Sequence, residues 1–159
     1  MPGFSAQDLA YVIRLDELAW GGLLLALTVA VHGTGMFNIM RMTVMLADRT
    51  AQVRLRFPAL GMAILIVAVW IIVVVHLAEV AIWAAFFVWK DAQPNIFSAF
   101  YAALLNYTAL QAGYLPIRWR LLEGMLGIAG LLSFAWSTGT LLALAAKFIQ
   151  EPVQQPSKK

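Results

Sequence analysis

Residues Ser98 to Pro116 read SAFYAALLNYTALQAGYLP, and the reading of this stretch decides the fold. It is apolar, but shorter than the about 20 residues a helix needs to cross a bilayer. It closes on a turn-prone piece, Gln111-Ala112-Gly113-Tyr114. Apolar runs long enough to span lie on either side of it. A short apolar helix in that position, followed by a loop, reads as a re-entrant hairpin that enters and leaves the membrane on one side. Non-helical backbone at membrane depth is tolerated only where protein buries it or a wet cavity solvates it. The stretch therefore implies a pore or a water-accessible vestibule.

Composition sets the frame around it. Of 159 residues, 62% are hydrophobic and 12% are charged, against about 25% charged in an average soluble domain. The deficit runs through most of the chain, which implies an all-α integral membrane protein rather than a soluble domain with one anchor. The expected architecture is three transmembrane helices plus the short re-entrant helix. The chain has no cysteine, which excludes disulfides and thiolate metal sites. A net charge of +3 gives no reason to expect nucleic-acid binding. The first 17 residues hold Asp8, Arg14, Asp16 and Glu17. They lack the basic-then-apolar order of a cleavable signal peptide, and none is expected.

Outward from the hairpin, the elements fall into order. Lys90 to Asn95 is a short break, and Ile96 to about Ala109 is the short helix, with the hairpin as a whole covering 96–116. Before it, Pro58 to Trp89 is an outer helix, opened by a proline where the missing N–H costs little. After it, Leu121 to Ile149 is an inner helix. Residues 58–149 thus form one module. A leading span covers 18–46, and residues 1–17 read as an amphipathic segment on the membrane surface, with Ser5 and Asp8 as its start signal. The polar connection at 47–57 carries Arg49, Arg54 and Arg56, which places it on the cytoplasmic side. The N-terminus is then outside and the C-terminus cytoplasmic. Residues 150–159 form a polar tail, expected to be disordered.

Three pieces of the module resemble the pore module of the potassium-channel superfamily, above all its small bacterial members. His76-Leu77-Ala78-Glu79 followed by Trp83-Ala84 resembles an outer-helix pattern. Ser98-Ala99-Phe100-Tyr101 through Thr108 is similar to a pore helix ending in the filter threonines. Trp119-Arg120-Leu121-Leu122 and Phe134-Ala135-Trp136-Ser137-Thr138 resemble the flanks of an inner helix. The resemblance covers roughly residues 59 to 146. It implies a homotetramer in a bacterial inner membrane, with the lipid bilayer and inorganic cations as its partners.

The filter departs from that family. Potassium-selective members carry a run like T-T-x-G-Y-G-D, where this chain has Thr108, Ala109, Leu110, Gln111, Ala112, Gly113 and Tyr114. A potassium filter aims successive backbone carbonyls at the ion, which requires backbone handedness that glycine adopts freely. With Gln111 in place of a glycine, the expectation is a cation pathway that is not potassium-selective, or a loop that plugs the axis. Gly130, as a hinge or a close-packing point, and Ser137 and Thr138, as cavity-lining or helix-bonded hydroxyls, complete the pore candidates.

Among the ionisable residues inside the spans, His32, His76 and Glu79 are the candidates for chemistry. Such residues are costly there and often functional. His76 and Glu79, three apart, share a helix face. With a rise of 1.5 Å per residue, His32 lies roughly 21 Å and His76 roughly 20 Å from the outer ends of their spans. If those spans pack together the three can meet, either as a metal-binding or proton-relaying cluster or as a hydrogen-bonded lock to the short helix through Asn106, Tyr107 or Thr108. The first reading supplies the alternative function: a non-conducting membrane protein with an intramembrane His/Glu site. No enzyme motif appears, and no cofactor beyond a bound cation is expected. Met36, Met40, Met42 and Met45 read as packing or lipid-facing residues, although thioethers can bind copper(I).

Overall fold

The structure is a computed structural model that describes residues 14–56, 59–110 and 113–150. Among these residues there are helices and turns and no strands. Helix α1 covers Leu15–Arg49, the short α2 Ala51–Arg56, α3 Ala59–Trp89, α4 Ile96–Tyr107, and α5 Arg120–Gln150 after a single 3-10 turn at Ile117–Trp119. Three of them, α1, α3 and α5, are long and apolar enough to cross a membrane. The surface segment expected at the N-terminus lies outside the described residues up to position 13. The residues that follow belong to α1, which starts at Leu15, three residues before the expected span. The polar connection after α1 is itself helical at Ala51–Arg56.

Two compact units divide the chain. One holds the described residues up to Val29 together with Val80–Leu131; the other holds Ala30–Glu79 together with Leu132 onward.

In the first unit, Trp83, Phe87, Tyr107, Leu122 and Leu126 are buried with Ala99 and Ala103. Helix α4 turns Ala99, Ala102, Ala103, Asn106 and Tyr107 inward. These positions repeat every three to four residues and so form one helical stripe. Asn95 starts the helix by accepting the Ser98 N–H on its side chain at 2.9 Å, which satisfies one of the orphan donors of a helix start. The other end closes with two bonds, Ala109 N–H to the Asn106 carbonyl and Leu110 N–H to the Leu105 carbonyl, both 2.9 Å. This is a Schellman cap, whose turning residue is usually glycine. Here that residue is Ala109, at φ +60°.

Against this stripe lies the small-residue face of α5. A Cβ at Gly130 would collide with the Tyr107 carbonyl, and one at Gly127 would stand 3.4 Å from the Asn106 carbonyl. Helix α5 passes through Gly130 unbroken, so the glycine serves close approach there.

The segment between α3 and α5 begins and ends at neighbouring residues. Gln93 Nε2 donates to the Tyr114 carbonyl at 2.7 Å, and the Trp119 ring meets Phe86 edge-on at 5.7 Å. Two carboxylates hold the return. Glu123 accepts the Leu115 N–H at 2.8 Å, and Glu17 accepts the Leu121 N–H at 2.6 Å. Leu121 lies in the first turn of α5, where donors are unpaired and negative charge is favoured. Arg118 pairs with Asp16 at 3.7 Å.

The second unit is built on Met36, Ile39, Ala68, Ile72 and Leu144. Glycines again set the helix spacing. A Cβ at Gly33 would stand 3.0 Å from the Trp136 ring, and one at Gly35 would stand 2.9 Å from Val75. Lys147 pairs with Asp48 at 2.9 Å.

Candidate functional site

The close approaches at Gly33 and Gly35 lie one to three residues from His32, and Val75 immediately precedes His76. Small residues therefore bring α1 against α3 and α5 where the polar side chains are. Each long helix contributes a pair at three- or four-residue spacing: His32 with Met36, His76 with Glu79, and Ser133 with Ser137. Such pairs stand on one helix face, and the three pairs face one another.

The hydrogen bonds run in sequence. His32 Nδ1 lies 2.7 Å from Glu79 Oε1. The second oxygen, Glu79 Oε2, accepts from Ser133 Oγ at 3.0 Å. On its far side, His32 Nε2 lies 3.3 Å from Ser137 Oγ. That same hydroxyl lies 3.1 Å from His76 Nε2 and 3.7 Å from Met36 Sδ. All six side chains are buried. Phe134 stacks on the His76 ring at 4.7 Å, and Trp136 stands 5.6 Å from the His32 ring. The polar groups thus sit in an aromatic wall.

The proton positions follow from the partners. With the Glu79 carboxylate accepting, His32 Nδ1–H is the donor, and His32 Nε2 faces Ser137. This carboxylate–imidazole arrangement is how metal-binding histidines are commonly oriented. The ligand atoms of His32, His76 and Glu79 lie within 4.8 Å of one another.

Other candidates find different places. Ser137, read from the sequence as a cavity-lining or helix-bonded hydroxyl, is buried and lies within hydrogen-bonding distance of two imidazoles. Thr138 is exposed, with its hydroxyl turned back to the Phe134 carbonyl at 2.8 Å. Of the loop residues, Thr108 bonds back to the Leu104 and Leu105 carbonyls. Ala109, Leu110, Gly113 and Tyr114 are exposed, while Gln111 and Ala112 lie outside the described residues. Glu79 is bonded to His32 on α1 and to Ser133 on α5, while the Asn106 amide, fully buried, has no hydrogen-bond partner among the described residues.

Sequence reasoning missed Met36, Ser133 and Ser137 as members of this cluster. The signal was available: each lies three or four residues from another polar or soft side chain on its own helix. No protein-family model, curated protein or solved structure matches this chain.

Proposed function

We propose that this protein is a homo-oligomeric membrane pore for cations, with low selectivity between potassium and sodium, built as a tetramer around re-entrant copies of α4 and its loop. The observation that carries the reading is the exposed irregular backbone at Thr108–Leu110 and Gly113–Tyr114, on a segment whose two ends meet through Gln93 and Tyr114. A segment that returns to its starting point does not cross a bilayer. Its loop, at membrane depth, needs protein or water around it. In a single chain Thr108, Ala109, Leu110, Gly113 and Tyr114 are exposed, and closed rotational symmetry is the common way copies complete one another.

The backbone turn favours poor selectivity. A potassium filter continues from its pore helix with carbonyls aimed along the axis. Here the Schellman cap turns the chain at Ala109, and the carbonyls of Leu104, Leu105 and Asn106 are engaged within the helix end. Arginines at regular spacing, the mark of a voltage sensor, are absent from the three spans, so the reading includes no voltage sensing.

The test is the mass of the protein in nanodiscs, followed by flux of potassium and sodium from liposomes. The expected result is a tetramer that passes both ions at comparable rates. A monomer without flux would defeat the proposal; a tetramer that passes potassium alone would defeat its selectivity.

A further inference from the structure

We propose that His32, His76 and Met36 form a buried copper(I) site, with Glu79 orienting His32 from behind and Ser137 Oγ marking the position the ion takes. This does not depend on the permeation reading. Its basis is the convergence of three donor atoms on one oxygen: His32 Nε2 at 3.3 Å, His76 Nε2 at 3.1 Å and Met36 Sδ at 3.7 Å. They come from two helices, α1 and α3, and the oxygen comes from a third. Metal–imidazole bonds run about 2 Å, so each ring closes on the ion by roughly 1 Å. The Ser137 hydroxyl moves aside by rotating onto the carbonyl four residues back, the bond that Thr138 and Thr140 already make on the same helix.

The donor set selects the ion. Thioether sulfur is a soft ligand that favours copper(I), and imidazole accepts it as well. The chain offers no thiolate to compete for it. Charge points the same way. Buried charge is costly unless balanced, and one Glu79 carboxylate balances a monovalent ion. A divalent ion in the same place would leave one positive charge uncompensated within the helix bundle. Glu79 is itself held on its second oxygen by Ser133, so the imidazole it orients is fixed before metal arrives.

The experiment is a titration of the purified full-length chain in detergent with copper(I) against a chromophoric chelator, with zinc(II) in a parallel arm. One copper(I) per chain is expected, bound more tightly than zinc(II). X-ray absorption of selenomethionine-substituted protein is expected to show copper–selenium scattering beside two nitrogen neighbours, a readout that needs no mutation. Met36→Leu keeps the volume and removes the sulfur, so it is expected to weaken copper(I) and leave the melting temperature near that of the parent. Glu79→Gln is expected to weaken copper(I) by about 10–100-fold, the usual loss when a partner behind a ligand is changed. Ser137→Ala is expected to bind copper(I) undiminished, because the hydroxyl only holds the place. Absence of copper(I) binding by the folded parent, a spectrum without selenium, or binding unchanged in Met36→Leu would each overturn the assignment. Tighter zinc(II) than copper(I) binding would overturn the choice of ion.

Discussion

Asn106 and Glu79 are both fully buried, one in each unit, and their surroundings treat them in opposite ways. Around Glu79 every bond described is between side chains of different helices, and the carboxylate is met on both oxygens. Around Asn106 the packing is made of alanine, aromatic rings and glycine-to-carbonyl approach, and its amide is left without a partner among the described residues. The surroundings of Asn106 fit by shape and those of Glu79 by polar pairing. Shape tolerates no added volume, whereas polar pairing tolerates no lost partner. A set of substitutions separates these two sensitivities.

The largest effect is expected at Gly130. An alanine there meets a backbone carbonyl, which cannot swing away as a flexible side chain can. Overpacking of this kind costs about 3 kcal/mol or more, read as thermal unfolding in detergent. Gly124, on the same helix with open space around it, is the matched control. Gly124→Ala is expected to be neutral or slightly stabilising, since alanine is the better helix former. Equal losses at both positions would break the claim that shape governs this contact.

Removing one partner from the second unit should cost nearly as much. Glu79→Ala leaves His32 Nδ1–H and the Ser133 hydroxyl buried without acceptors, a loss of about 3 kcal/mol for a buried pair broken on one side. Asn106→Leu is the mirror experiment. It removes an amide that has nothing to lose and keeps the volume, so a gain of about 1 kcal/mol is expected. A loss at Asn106 would mean that a partner reaches it from outside the described residues. The smallest effect is at the end of α4. Ala109→Gly relieves a left-handed residue that carries a Cβ and is expected to stabilise by about 1 kcal/mol. Denaturation of both proteins side by side checks it, and a destabilised glycine variant would contradict the cap.

The three long helices could be read from the sequence because apolar run length alone determines them. The meeting of His32, His76 and Glu79 was legible for a related reason: depth along a helix follows from counting residues, and three residues in a helix set a shared face. The first unit's details were less open. Glu17 looked like part of a surface segment, and only the fold shows it accepting from a backbone donor of α5. Glu123 receives the Leu115 N–H, a partner eight positions back in a loop. Both are carboxylates near a helix start, a placement that the dipole favours, but which helix start cannot be counted along one chain. The place of Ser137 between two imidazoles was closed to counting for the same cause. Its helix position was known, but the face it shows depends on which neighbours the glycines admit.

The bond from Glu17 to Leu121 spans 104 positions of sequence. At about 5–20 residues per second, a translating ribosome needs roughly 5–20 s to supply the second residue after the first. For that interval the leading helix carries a carboxylate whose eventual acceptor role is still unwritten. Neither unit can close before α5 arrives, since it brings Gly130 to one and Ser133 to the other. Completion of both units is thereby timed from the last helix, which supplies contacts to each.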